Sequence, residues 1–240
     1  MLQNTNTCIV SDPKLLPSPE SQHFDPEFWR RGQMISGQEH GRGTTYFLRP
    51  TIPGLPEAEW VLRHYLRGGL IGKLIRDLYL FTGAKNTRSL AEFQVLSTLH
   101  QQGLPVPRPV AALAKRKGLV YRADILIEKI PGARDLCSVL QAPADAAFYR
   151  NLGELVARFH SAGVYHADLN IKNILLDADH KLWLIDFDRA QLGQCSQAKQ
   201  DKSLARLKRS FEKERGRRGV KFQETDWLVF LETYQQARKN

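Results

Sequence analysis

The sequence predicts an α+β chain in which a sheet-bearing first half precedes a mostly helical second half. Two observations carry this. Between residues 36 and 130, apolar runs of strand length are split by glycine-bearing turns. Beyond residue 131, apolar residues recur every three or four positions over long stretches. With 42% of its 240 residues apolar, the chain can bury a substantial core, as one large domain or two small lobes.

Residues 1 to about 30 are rich in Pro, Ser, Asn and Gln, with an aromatic cluster of Phe24, Phe28 and Trp29 suited to docking on the domain, and the first 20 are expected to be loose. From Ser36, "SGQEHGRGTTYFLR" reads as a glycine-bearing turn flowing into a strand, and "EAEWVLRHYLRGG" as the next strand, ended by Gly68 and Gly69. Ile71, Leu74, Ile75 and Leu78 share helical spacing, which predicts a helix over 71–78. "RSLAEFQVLSTLHQQG" repeats that pattern through Leu90, Phe93, Leu96 and Leu99, with Ser89 as cap and Gly103 as stop. "VAALA" and "LVYRADILIEKI", split by "KRKG", predict an antiparallel pair.

In the second half, Phe148, Leu152, Leu155, Val156 and Phe159 fall on one helical face before Gly163 closes it. "NILLD" and "KLWLID" predict a hairpin across "ADH". Two further helices are expected, one with Leu204, Leu207 and Phe211 and one with Leu228, Leu231 and Tyr234 as their apolar faces.

Charge and composition narrow the class. No apolar run is long enough to span a bilayer and no secretory leader is evident, so a cytosolic location is expected. Cys8, Cys137 and Cys195 are too scattered for a disulfide framework or a zinc site and read as reduced thiols. The net charge of +10 favours polyanions, and residues 199–221 alone hold ten Lys/Arg against three Asp/Glu. That stretch is either a solvated helix face or a surface for anions.

The chemistry concentrates in "HADLNIKNILLDADHKLWLIDFD", from His166 to Asp188. Pairing its two short strands folds the loop carrying His166, Asp168 and Asn173 onto the sheet edge that carries Asp186. Magnesium takes hard oxygen ligands and usually one or two carboxylates, which suits Asp186 and Asn173. A nucleophilic hydroxyl needs a carboxylate to orient it and accept its proton late, which suits Asp168. The competing reading, turn aspartates capping strand ends, leaves their joint type, order and spacing unexplained.

"HADLNIKN" followed by "IDFD" resembles the H-R-D-L-x-x-x-N and D-F-G signature of the protein-kinase superfamily. The resemblance implies a protein-kinase-like two-lobed fold, with an N-lobe over 30–130 and a small, mostly helical C-lobe over 131–240, as one domain across 1–240. It implies ATP and Mg2+, with Asp168 catalytic, Asn173 and Asp186 on the metal, and His166 bracing the loop. The loop bearing Gly37, Gly41 and Gly43 either closes backbone amides over phosphates or is a ligand-free hairpin turn. Arg63 stands at the lysine position of the kinase phosphate anchor, Glu92 is its natural ion-pair partner, and Arg49 and His64 are alternative anchors. Glu128 and Ile130 fall where backbone would meet adenine.

Two departures point away from peptide substrates: His-Ala-Asp lacks the arginine that reads a phosphorylated activation loop, and no A-P-E motif follows Asp186. "WVLRHYLRGGLIGKLIRDLYLF", "RSLAEFQVL", "GLPVPRPVAA", "YRADILIEKI", "VYHADLNIKNILL" and "LIDFDRA" together resemble the lipopolysaccharide core kinase family. That resemblance implies phosphorylation of a 3-deoxy-D-manno-octulosonic acid (Kdo) hydroxyl, the 4-OH, on a Kdo-bearing lipid A precursor. It also implies a peripheral position at the cytoplasmic face of a Gram-negative inner membrane.

The remaining expectations concern partners and rivals. Basic patches would meet the anionic membrane surface, and the helix at 71–78, flanked by Arg67, Lys73 and Arg76, either touches the interface or packs within the small lobe. A monomer without nucleic-acid partners is expected. The main rival is a small RIO-like serine/threonine kinase associated with RNA or ribosomes, which shares the short core and the charge. An antibiotic phosphotransferase is disfavoured because its cationic drugs would be repelled, and a pseudokinase because Asp168, Asn173 and Asp186 are all retained.

Overall fold

The computed structural model describes residues 2–4, 6–41, 43–67, 77–193 and 195–239. The chain divides into two compact units, one of Met1–Thr98 with Pro107–Lys129, the other of Leu99–Val106 with Ile130–Asn240.

The first unit is built on an eight-stranded antiparallel sheet: β1 (Leu2–Asn4), β2 (Thr7–Ser11), β3 (Ile35–His40), β4 (Thr44–Leu48), β5 (Trp60–His64), β6 (Tyr79–Leu80), β7 (Pro109–Lys117) and β8 (Val120–Glu128). Its order is β1-β2-β7-β8-β5-β4-β3, with β6 beside β8. The predicted β7–β8 hairpin forms, and Gly118 supplies the positive φ of 62° that its tight turn needs. Alternation along the strands sorts two faces. Trp60, Leu62, Leu113 and Leu126 point to one, where Ile9, Leu15, Leu16, Phe24 and Trp29 complete a buried cluster. Ala112, Ala114, Ala123 and Ile125 point to the other, where helix α2 (Arg88–Gln101) brings Glu92 to Arg63 of β5.

Three expectations change here. Residues 7–16, expected to be loose, are not: β2 pairs with β7 along its whole length, and Leu15 and Leu16 are buried. The polar composition concealed two short strands and two apolar anchors. The aromatic cluster does dock: Trp29, in α1 (Pro26–Arg31), is fully buried edge-on to Trp60 at 6.0 Å, and its indole N–H donates to the His23 carbonyl. Gly37 sits inside β3, so the glycine turn shrinks to the β3–β4 tip at Gly41 and Gly43. Ser89 does not cap α2; its hydroxyl is buried and donates to the Leu113 carbonyl. The helix expected over 71–78 lies largely outside the described residues, and Tyr79–Leu80 beyond it is strand.

The second unit holds a three-stranded antiparallel sheet of β9 (Arg134–Asp135), β10 (Ile174–Leu176) and β11 (Leu182–Leu184), with helices α3 (Leu136–Val139), α4 (Ala146–Ser161), α5 (Gln197–Arg218) and α6 (Glu224–Lys239). Asp135 caps α3 and Asp145 caps α4, each accepting from backbone amides. Helices α4 and α6 meet at Gly153, where a Cβ would stand 2.6 Å from the Phe230 carbonyl oxygen; only glycine permits this approach. The buried face of α6 is Trp227, Phe230 and Tyr234 rather than the predicted Leu228, Leu231 and Tyr234, and Leu228 is exposed. The stacked Trp227–Phe230 rings, 4.5 Å apart, offer more area than two leucines and set the rotation of the helix.

Candidate active site

The hairpin β10–β11 forms in the register Ile174↔Leu184, Leu175↔Trp183 and Leu176↔Leu182. Asp177 holds its tip by accepting from the amides of Asp179 and Lys181 and the indole of Trp183. The preceding loop is anchored by Leu169 and Ile171, both buried, which turn Asp168, Asn170 and Lys172 outward.

Four hydrogen bonds fix that loop, two within it and two to the end of β11. The Asn173 amide nitrogen donates to the Asp168 carbonyl at 2.9 Å, and the Ile185 N–H donates to the Asn173 carbonyl at 2.9 Å. The Asp168 N–H points to His166 Nδ1 at 3.3 Å, and His166 Nε2 lies 3.0 Å from the Ile185 carbonyl. The imidazole therefore accepts at Nδ1 and carries its proton on Nε2. Burial lowers the His166 pKa, opposed by the Ile185 carbonyl and the charges of Asp186 and Asp168. Phe187 packs edge-on against the ring at 5.0 Å. Asp186 itself adopts φ 65°, a left-handed conformation uncommon for a non-glycine residue. The structure thus brings Asp168, Asn173 and Asp186 together around one neutral, buried histidine.

Among the described residues no cluster of three or more His, Cys, Asp or Glu forms a metal cage. The oxygen donors here are the Asp186 carboxylate and the Asn173 amide oxygen, the amide nitrogen being held by Asp168. Such a sparse, hard set fits magnesium, which keeps water and phosphate oxygens for the rest of its shell.

Sequence reading missed Arg206 of α5, whose Nη1 lies 2.7 Å from Asp168 Oδ1. Basic residues recurring at three- and four-residue spacing (Lys199, Lys202, Arg206, Arg209, Lys213) were the available signal of a charged helix face. Lys172 is bound instead to buried Glu214 at 3.1 Å, a carboxylate that Arg218 also pairs at 3.2 Å.

In the first unit, Arg63 Nη2 lies 2.6 and 2.7 Å from the two carboxylate oxygens of Glu92, and the Tyr65 hydroxyl also donates to Glu92. His64 points to the opposite face of β5 and bonds Asp124 at 2.6 Å, which raises its pKa against the effect of burial. Arg49 is paired with Glu59 at 2.6 Å. Of the three candidate anchors, only Arg63 lies on the α2 side. At Gly41 a Cβ would meet nothing within 4 Å, whereas at Gly43 it would overlap the Leu66 side chain. The Glu128 N–H donates to the Arg108 carbonyl, and the Ile130 carbonyl accepts from Ala133.

The model of the lipopolysaccharide kinase (Kdo/WaaP) family matches residues 26–234. The chain belongs to that family. Among curated relatives of this kinase, a Vibrio parahaemolyticus protein is 44% identical over 231 residues, covering 96% of this chain and 94% of the relative. A Vibrio cholerae protein is 46% identical over 224 residues, covering 92% and 93%. One from Actinobacillus succinogenes is 48% identical over 227 residues, covering 90% and 91%. All three are named 3-deoxy-D-manno-octulosonic acid kinase. Membership makes the chain a phosphotransferase with a kinase-like α+β fold. Among the described residues, no helix of this lipopolysaccharide kinase is long and apolar enough to cross a membrane.

Proposed function

We propose that this kinase transfers the terminal phosphoryl group of ATP to a Kdo hydroxyl of a Kdo-bearing lipid A precursor in lipopolysaccharide biosynthesis. The 4-hydroxyl is the acceptor position that its resemblance implies. One observation carries the reading: the locked Asp168–Asn173–Ile185 block occurs in a chain 44% to 48% identical to enzymes named for that acid.

In this reading Asp168 orients the acceptor hydroxyl and receives its proton late in a loose transition state. Asp186 and the Asn173 oxygen hold Mg2+, which when bound neutralises charge on the transferring phosphate oxygens. Glu92 fixes Arg63, whose planar fork is suited to phosphate oxygens. The Gly41 N–H closes the tip by donating to the Gly43 carbonyl at 2.8 Å, which leaves the Gly43 amide to approach the phosphates, and Gly37 supports the tip from within its strand. The Ile130 amide and the Glu128 carbonyl serve the purine edge. The basic excess of α5 draws the protein, as a monomer, to the anionic cytoplasmic face of the inner membrane, where each base adds about 1 kcal/mol.

The test is incubation with labelled ATP, magnesium and a panel of Kdo-lipid A precursor, aminoglycoside, casein and RNA-associated protein. Label on the Kdo lipid is expected. Label confined to protein would overturn the proposal in favour of a RIO-like kinase.

A further inference from the structure

We infer that the groove beside Asp168 in the second unit is the subsite for the acceptor's carboxylate, with Arg206 selecting an acidic sugar. The inference rests on transfer to a Kdo hydroxyl as proposed above.

The groove has a volume of about 670 Å3 and is lined by the bases Lys172, Arg206, Arg209 and Lys213 and the carboxylates of Asp168, Glu212 and Glu214. That size suits a sugar-sized ligand. Its charges are not equivalent. Lys172 ties the loop to α5 through buried Glu214, whose charge Arg218 of the same helix also offsets. Arg206, Arg209 and Lys213 follow one another at three- and four-residue spacing and so share one face of α5. Arg209 and Lys213 have no ion-pair partner among the described residues.

The Arg206–Asp168 pair contributes little to the fold. Its side chains are 43% and 53% exposed, and ion pairs so open to solvent add little to stability. Its consequence is positional. A guanidinium presents five N–H donors in a rigid fork, and only Nη1 is bonded to Asp168. The other arm can take a second carboxylate while the first stays in place. A sugar acid is ionised at neutral pH. Bound there, its carboxylate is bridged through Arg206 to the group that orients the hydroxyl, and Arg209 and Lys213 offset the added negative charge. A neutral sugar gains none of these contacts, so the groove discriminates by charge near the reacting centre.

The experiment compares wild type, Arg206→Ala, Arg206→Lys and the double variant Arg209→Ala/Lys213→Ala. Each is assayed with the Kdo-lipid A precursor and with its methyl ester, which removes the sugar carboxylate and leaves the lipid phosphates. We expect Arg206→Ala to raise the acceptor KM at least tenfold with the ATP KM unchanged, and Arg206→Lys to recover part of the loss. Wild type should prefer acid to ester by a similar factor, and Arg206→Ala should lose most of that preference. Melting temperatures identify any variant that fails to fold, and Arg206→Lys then carries the test. Undiminished preference for acid over ester in both Arg206 variants would overturn the subsite. A loss with acid and ester alike that tracks Arg209 and Lys213 would assign the groove to lipid phosphates and equally overturn it. Wild type that labels neither acceptor would bring down the Kdo reading itself.

Discussion

Replacing Glu92 with Gln tests the pair that positions Arg63. Glu92 is 2% exposed and receives Arg63 Nη2 at 2.6 and 2.7 Å as well as the Tyr65 hydroxyl. Glutamine keeps the shape but presents an NH2 group to a guanidinium and removes the compensating charge. Breaking a fully buried pair costs about 3–5 kcal/mol. The Arg63 side chain is 26% exposed and regains some hydration, which puts the loss near the lower end, about 3 kcal/mol. For a chain of this length that lowers the melting temperature by about 6–12 °C. Thermal denaturation of Glu92→Gln, Arg63→Met and the double variant forms a cycle whose coupling should reach about 2 kcal/mol. A single-variant loss below about 1 kcal/mol, or strictly additive losses, would refute the reasoning.

The other predictions span the site and the fold. Asp168→Ala should fold, bind ATP and lose at least about 100-fold in phosphoryl transfer; near-full turnover removes Asp168 from the mechanism. Trp29→Ala should destabilise the first unit by about 3–5 kcal/mol in urea titration, because the ring is fully buried against Trp60; a change within 1 kcal/mol would mean the N-terminal segment is dispensable. His160, buried and bonded to the Tyr234 hydroxyl at 2.8 Å, has its pKa pushed down by burial to about 4. Its folded value lies below the unfolded one near 6.5, so the unfolded chain takes up the extra proton. The resulting contribution of about 3 kcal/mol is complete above pH 6.5 and is lost as pH falls towards 4. His160→Gln should flatten this part of the stability profile, and an unchanged slope would exclude His160 as its source.

Much of the local geometry of the candidate site was legible because its residues lie close together in sequence. Seven positions separate His166 from Asn173, and one hairpin returns the chain to Asp186, so a local pattern carried the geometry. Arg206 was not legible: it stands 38 residues from Asp168, and its charge was lost within a generally basic helix. In the fold, β7 and β8 announced themselves through apolar runs and a glycine turn. The strand Thr7–Ser11 did not, because a few apolar residues among polar ones fit loop and edge strand equally well, and only pairing with β7 decides. The rotation of α6 was misread for a related reason: Leu228 and Trp227 are both apolar, and the close contact at Gly153 selects between them.

The imidazole of His166 has one further consequence. Because the segment carrying Asp168 and the segment carrying Asp186 are both indexed to a single ring, neither can be exchanged alone without losing alignment with the other. For anyone transplanting the proposed chemistry into another scaffold, residues 166–187 form one indivisible cassette. The hairpin tip at Asp177 to Lys181 is then the natural place to alter its length, since a single-residue slip between Ile174 and Leu184 would turn every strand side chain to the wrong face.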